Sequence, residues 1–565
     1  MIVTHCDGKL RLKFGYNPDT VAIVKEAPDG RRYDPKTKEW VLPCTIENVR
    51  FCIDALGAED QGMASLLQSM ERPLVVSATE SQTAPIDWRT TPFKHQGQGL
   101  DLLLANDKIA LFWEMGTGKS LVTIKAIGFR LQAGQIKRAL IVCPKTVITS
   151  WVKEFARYSD IVPEVIGGTA KQREHAARHA QVAIVNYDLL IRMDLGAAWD
   201  MVVFDESQYI KAASAKRSKA AYELAKQAKY RVLLTGTPVA KDAGDMFGQF
   251  KVLDESIFGN SFYAFRAKYF ANVGRNFPDW RIRPEAADAI RSKVALRAQR
   301  IRKADVLDLP EKLYQVRRIE MTKDQARHYR ELEKELLTEI LTTEDRGADG
   351  KFQVKQVVTV PYLITRMMRL NQICSGYVHH EGRDLEVCGA PESNPKLAEL
   401  KQIIDDYDAG DGRNQVVVWC TFLHDIKAIC EVFPAAMVID GSKSTQERQE
   451  AIDLFQAGLC KVIVLQQQAG AVGITLTAAH LSIFYSRNYS LLDRMQAEDR
   501  LHRIGQVNKV TYIDLIMADS IEEEIVEALE EKRIVAGYLQ GDIESIVVER
   551  FRKKFASKSG ETACR

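Results

Sequence analysis

The sequence predicts an α/β protein: two parallel-sheet lobes with helical insertions between them, preceded by a small α+β module. Two observations carry this. Short, continuous apolar runs at 109–112, 140–143, 182–185, 201–204 and 232–234 alternate with helical patterns, and a second series follows at 416–419, 437–439, 462–465, 483–485 and 510–515. Runs apolar on every residue suit strands covered on both faces, and strand–helix alternation suits parallel crossovers. The 565 residues also allow about three to four domains, each with its own core.

Residues 1–62 form the first module. Lys9 to Phe14 alternates strictly, with Leu10, Leu12 and Phe14 on one face and Lys9, Arg11 and Lys13 on the other, which predicts a half-buried strand. Pro28-Asp-Gly30 and Asp34-Pro-Lys-Thr-Lys38 read as turns, and 40–42 as another strand. Ile46, Val49, Ile53 and Leu56 follow helical spacing behind Thr45, a fitting cap. Residues 63–90, polar towards their end and carrying Pro73 and Pro85, are expected to be a linker. The first lobe is expected over 91–258, helical insertions and the inter-lobe connection over 259–395, and the second lobe over 396–540. Within the insertions, 323–342 places Tyr329, Leu332, Leu336 and Ile340 at helical spacing. Residues 541–565 read as a tail, whose Arg550-Phe-Arg-Lys-Lys-Phe555 either binds phosphate or is simply solvated.

At 46% apolar and 27% charged, the composition is that of a folded soluble chain. No run nears the ~18 apolar residues of a membrane span. The N-terminus has no basic-then-apolar signal, so an intracellular location is expected: cytoplasm or nucleoid in a prokaryote or infected cell, nucleus in a eukaryote. Ten scattered cysteines with no CxxC spacing give no zinc ribbon or redox pair. A net charge of +3 means that any nucleic-acid groove must be a local basic surface.

Four motifs carry chemistry. Glu114-Met-Gly-Thr-Gly-Lys-Ser120 follows an apolar strand and opens a helix, the context of a phosphate cradle. Gly116, Thr117 and Gly118 let the backbone approach the phosphates, Lys119 reaches the β- and γ-phosphates, and Ser120 reaches Mg2+. The loop lacks the first glycine of the full pattern. Asp205-Glu206 ends a buried strand: Asp205 suits Mg2+ and Glu206 the attacking water, unless the pair is an ordinary acidic turn. Leu234-Thr-Gly-Thr-Pro238 is either a plain turn or a coupling element in which Thr235 and Thr237 bond near the acids. Arg500 and Arg503, three apart, should share a helix face and serve as arginine fingers, or else belong to a solvated basic helix.

Taken in order, these motifs resemble the Swi/Snf-type branch of superfamily-two helicase-like ATPases from about Thr91 to Leu529. Lys94-His-Gln96 is similar to the family's adenine-reading motif. Cys143-Pro-Lys-Thr with Trp151-Val-Lys-Glu-Phe155 is similar to its first DNA-contact motif. The stretch from Ile301 to Pro310 looks like its arginine-lysine and Leu-Pro element. Arg369-Leu-Asn-Gln-Ile-Cys374, Asp440-Gly-Ser442 with Arg448, Ala469-Gly-Ala-Val-Gly-Ile-Thr-Leu476 and Gln496-Ala-Glu-Asp-Arg-Leu-His-Arg-Ile-Gly-Gln506 fit later motifs. Gln208, Ala471 and Asn488-Tyr-Ser490 depart from the usual residues, and Gln208 puts the coupling contact in question.

The resemblance implies two RecA-like lobes, ATP and Mg2+ as ligands, Gln96 and Gly473 at the nucleotide, and Lys145, Thr146 and Thr475 at DNA. Through Tyr33-Asp-Pro-Lys-Thr-Lys-Glu-Trp40-Val the first module is similar to the HARP domain of annealing helicases. Tyr33 and Trp40 then stack bases while Lys36 and Lys38 meet phosphates; alternatively both aromatics are core residues. The expected activity is an ATP-driven translocase on double-stranded DNA that remodels forks or branches and promotes reannealing in replication, repair or recombination. A strand-separating helicase and an ATP-gated clamp with little turnover are the rivals.

Overall fold

The computed structural model describes residues 1–59, 62–75, 87–195, 199–238, 244–273, 280–342, 360–380, 383–388, 393–408, 414–470 and 474–535. The chain divides into two units, Met1–Leu307 and Asp308–Arg565. No helix among the described residues is long and apolar enough to cross a membrane.

The first unit opens with strands β1 (Ile2–Cys6), β2 (Lys9–Lys13), β3 (Arg32–Asp34) and β4 (Glu39–Pro43), in the order β1-β2-β4-β3. Asp7 and Gly8 both take positive φ, the geometry of a tight two-residue hairpin, and pair β1 with β2 in an antiparallel ladder. Alternation along β2 puts Leu10 and Leu12 wholly inside, as expected. Thr45 caps the helix Ile46–Asp54 by accepting the Asn48 N–H at 3.2 Å.

Residues Met63–Glu71, expected to begin a linker, form a helix. Met63 and Met70 lie two turns apart on its buried side, a spacing the polar, proline-bearing residues that follow had masked. The module is fastened to the lobe behind it. Glu47 pairs with Lys293 at 2.8 Å, Ile46 N–H meets the Ser256 carbonyl, and Arg297 donates to the Met70 and Arg72 carbonyls.

The first lobe contains β5 (Lys108–Trp113), β6 (Ala139–Cys143), β7 (Glu164–Val165), β8 (Val182–Asn186), β9 (Met201–Asp205) and β10 (Tyr230–Leu234). A short hairpin of β11 (Phe270–Asn272) and β12 (Trp280–Ile282) follows, and then β13 (Ala298–Ile301). Among the described residues, seven strands make one parallel sheet, β13-β5-β10-β9-β6-β8-β7. The five expected runs all fall on strands, and β5, β6 and β9 are buried almost end to end, which is why they lack polar alternation.

In the second unit β14 (Lys312–Ile319), β15 (Tyr377–His380), β16 (Arg383–Glu386), β17 (Val416–Cys420), β18 (Met437–Ile439), β19 (Val462–Gln466), β20 (Leu481–Phe484) and β21 (Val510–Met517) appear in chain order. Six of them form a second parallel sheet, β14-β21-β20-β17-β19-β18. The stretch 259–395 is therefore not only an insertion: β13 and β14 complete the edges of the two sheets. Charged residues interrupt both strands, and β14 is exposed along most of its length, so neither shows an apolar run. The helix Lys323–Thr342 is present as expected. The helix Val360–Cys374 contributes Met367, Leu370, Ile373 and Cys374 to the second core.

Candidate functional site

In the first unit the phosphate loop follows β5 and ends where the helix Lys119–Gln132 begins. Gly116 and Gly118 have φ of 77° and 95°, which side chains tolerate poorly. At Gly118 a Cβ would press on the Gln96 side-chain amide, which would have to shift. Lys119 Nζ donates to the carbonyls of Trp113 (2.7 Å) and Glu114 (3.2 Å), and Thr117 Oγ1 donates to Glu114 O at 2.7 Å. The lysine is thus folded over the loop it would serve. Ser120 occupies the second position of the helix.

Glu114 ties the loop to the chain that follows β13. Its carboxylate accepts the Lys303 N–H at 2.9 Å, and its own N–H donates to Ile301 O at 3.0 Å. Gln96 is buried beside the loop, accepting the Phe93 N–H at 3.0 Å and donating to Thr117 O at 3.2 Å. It caps its own helix and braces the cradle.

Asp205 ends β9 and is buried. Its Oδ2 accepts the Trp151 indole N–H at 2.8 Å and its Oδ1 the Glu206 N–H at 3.0 Å. Burial, then the neighbouring Glu206 charge, pushes its carboxyl well above the usual range; the Trp151 bond and the Lys119 charge oppose this. A divalent cation beside it would favour the carboxylate again, so this acid fits a metal ligand.

Glu206 has φ of 51°, a left-handed conformation costly for glutamate and frequent at functional sites. Its Oε2 accepts from Gln208 Nε2 at 2.8 Å, and Gln208 Oε1 accepts from Thr235 Oγ1 at 2.7 Å. Thr237 N–H closes the turn onto Thr235 Oγ1 at 3.0 Å. The turn after β10 is therefore wired to the carboxylate, and Gln208 is the wire.

The role of Trp151 escaped sequence reading. Its motif is similar to a DNA-contact motif, yet Trp151 is 1% exposed and orients Asp205. Its stripe with Phe155, one helical turn on, was the available sign of burial. Lys145 and Thr146 are exposed on the turn after β6, free of the core. Tyr33 and Trp40 face each other across β3 and β4 with ring centres 5.4 Å apart. Tyr33 is 46% exposed and Trp40 half-buried, so neither belongs to the module's core. Lys36 and Lys38 are exposed between them in sequence.

In the second unit the helix Leu491–Leu501 carries Arg500 but stops before Arg503, correcting the expectation of one shared helix face. His502 leaves the helix with ψ of 78°, turning the chain. The two guanidinium groups converge nonetheless. Arg500 Nη1 and Arg503 Nη1 each donate to Ile474 O at 3.2 Å, and Arg503 Nη1 also donates to Thr475 Oγ1 at 2.8 Å. Gly473 lies outside the described residues.

Known proteins resemble this chain along most of its length. The SNF2-related domain matches residues 95–377, and the helicase conserved C-terminal domain matches 395–505. A Caenorhabditis elegans homolog of the SWI/SNF-related matrix-associated actin-dependent regulator of chromatin subfamily A-like protein 1 is 26% identical over 93% of this chain and 74% of its own length. The Saccharomyces cerevisiae ISWI chromatin-remodeling complex ATPase ISW1 is 24% identical over 80% of this chain but only 40% of its own length. The solved Sulfolobus solfataricus SWI2/SNF2 ATPase core in complex with dsDNA is 24% identical, covering 83% of this chain and 98% of that one, with a TM-score of 0.38. The first domain match takes in half of the sequence and the second follows it in the second unit, so the chain belongs to the SNF2-related family of helicase-like ATP hydrolases.

Proposed function

We propose that this chain is a DNA-dependent ATPase that translocates on double-stranded DNA, remodelling forks or branches and promoting strand reannealing. The observation that carries the reading is a divided set of reactive groups. In the first unit the Lys119 charge acts on Asp205, Glu206 follows Asp205, and Ser120 follows Lys119 on the loop helix, while Arg500 and Arg503 converge on one carbonyl in the second. In this reading both sets serve one nucleotide, since an arginine finger adds about 10³-fold or more to the rate that the loop and the acids reach without it. The names of two relatives, a regulator of chromatin and a chromatin-remodeling ATPase, support DNA as the track.

On ATP binding, Lys119 exchanges the Trp113 and Glu114 carbonyls for phosphate oxygens. Ser120 and Asp205 would hold Mg2+, which when bound supplies positive charge against the β- and γ-phosphates. Glu206, held by Gln208, takes the proton of the attacking water. Arg500 and Arg503 leave Ile474 and neutralise charge on the departing phosphoryl group. Lys145 and Thr146 on one unit and Thr475 on the other contact the DNA backbone, so binding carries little sequence preference and falls with salt. Tyr33 and Trp40 stack unpaired bases at a branch, with Lys36 and Lys38 on phosphates.

The test compares ATP turnover with duplex, single-stranded and forked DNA and RNA at one salt concentration, and adds displacement of a third strand from a triplex. Stimulation by duplex and third-strand displacement without unwinding are expected. Unwinding of the underlying duplex would favour a strand-separating helicase, and absence of stimulated turnover an ATP-gated clamp. Glu206→Gln is expected to abolish hydrolysis while ATP binding persists.

A further inference from the structure

We propose that the stretch joining the two units is a tether anchored at each end on an ATP-handling element, which makes Glu114 and His502 positioning residues for hydrolysis. The inference rests on the reading of Lys119, Arg500 and Arg503 given above.

At the first end, β13 runs parallel to β5 and delivers the chain to the phosphate loop. Glu114, the residue that opens the loop, binds both sides of the junction: its N–H donates to Ile301 O at 3.0 Å, and its carboxylate accepts the Lys303 N–H at 2.9 Å. The short helix Lys303–Val306 therefore starts on the loop. The Glu114 carbonyl also takes the Lys119 ammonium at 3.2 Å. A pull on that helix reaches the group on which the lysine rests.

At the second end, the chain enters the other unit against the arginine-bearing helix. His502, seated between the two arginines in sequence and only 8% exposed, donates from Nε2 to Pro310 O at 2.7 Å. Beyond it, Lys312 Nζ and Tyr314 OH both reach Glu498 Oε2, at 3.1 and 2.8 Å. Glu498 lies on the same helix as Arg500. A passive linker keeps its polar groups in water. Here the joining stretch gives its backbone to one side chain from each ATP-handling element, and Pro310 fixes its own φ at the point of attachment.

Neither Glu114 nor His502 needs to touch ATP for this. The tether would let a displacement of the joining chain reset Lys119 and the arginines together. The experiment measures DNA-stimulated ATPase on the full chain. His502→Ala is expected to lower kcat by about 10- to 100-fold with KM for ATP little changed, since small misplacements of catalytic groups carry such losses. His502→Gln, which keeps an N–H donor, recovers most of it.

Adding Glu114→Ala to His502→Ala is expected to cost little more than either alone, because a tether cut at one end is already slack. Multiplying losses, or a folded His502→Ala chain with kcat near the parent's, overturns the proposal. Should His502→Ala not fold, Tyr314→Phe removes one anchor bond from the edge strand and is expected to lower kcat by about fivefold, again at constant KM; unchanged kcat overturns the proposal. Arg503→Ala separates the two levels. If it keeps full turnover, the underlying reading fails; if it loses turnover while His502→Ala does not, only the tether fails.

Discussion

Arg500 and Arg503 share an acceptor, each holding a guanidinium nitrogen 3.2 Å from the Ile474 carbonyl oxygen. Two like charges are thereby kept together by one dipole, which a triphosphate could replace with a far stronger partner. Either arginine changed to alanine is expected to reduce kcat by about 10³-fold while nucleotide binding changes little, the loss that removal of an arginine finger carries. Arg503→Lys should recover only a small part, because an ammonium cannot reproduce the planar fork. Steady-state hydrolysis alongside titration with a fluorescent nucleotide checks both. Near-parent turnover in Arg503→Ala would remove the arginine from the chemistry.

The Thr235–Gln208–Glu206 chain predicts an ordered set of losses. Gln208→Leu fills a similar volume but breaks both bonds, leaving the Glu206 carboxylate unsteered; kcat is expected to fall by about 10- to 100-fold. Thr235→Val loses the bond to Gln208 and the turn bond from the Thr237 N–H but spares the contact between Gln208 and Glu206, so its cost in hydrolysis is smaller. The double variant should match Gln208→Leu alone, since the threonine acts through the glutamine. Single-turnover hydrolysis of the three variants decides it, and independent, multiplying effects would refute the relay.

The interior of the molecule was legible because buried parallel strands advertise themselves: β6 and β9 up to Phe204 are covered on both faces and carry apolar side chains throughout. The phosphate loop and the acids were legible for a related reason, since their residue types are demanded by local backbone geometry and charge. What stayed hidden depends on distant partners. Edge strands β13 and β14 are held by ladder bonds rather than apolar faces. Trp151 reads as one more amphipathic-helix residue until Asp205 is found beside its indole. Arg503 illustrates the limit of spacing: its distance from Arg500 in sequence suggested a common helix, but the turn at His502 brings the two together by another route.

Asp254 gives the first unit an acid-sensitive joint. It is nearly fully buried, which alone would raise its pKa, but Lys108 at 3.1 Å and Arg297 at 2.9 Å outweigh burial and hold it down at about 2. A carboxyl depressed in the folded state stabilises above its unfolded pKa of roughly 3.9, and that support is lost as pH falls from about 4 towards 2. It amounts to about 2 kcal/mol. Urea unfolding between pH 6 and 2.5 should show this slope, and Asp254→Asn should flatten it. An unchanged slope in the variant would assign the acid sensitivity elsewhere.

Lys396 and Glu522 form the second unit's most deeply buried ion pair among the described residues, both side chains at 0% exposure with Nζ 2.6 and 2.8 Å from the two carboxylate oxygens. Glu522 also accepts the Met517 N–H at 2.8 Å, so it fixes the end of β21 as well as the lysine. Desolvating two charges offsets most of their attraction, but removing one strands the other in the core. Lys396→Met is therefore expected to destabilise the unit by about 3–5 kcal/mol. Adding Glu522→Leu should restore much of that loss, short of the backbone bond to Met517. Hydrogen exchange in peptides from β17 and β21 reports this unit separately from the first. Equal protection in parent and Lys396→Met would mean that the pair is neutral to stability.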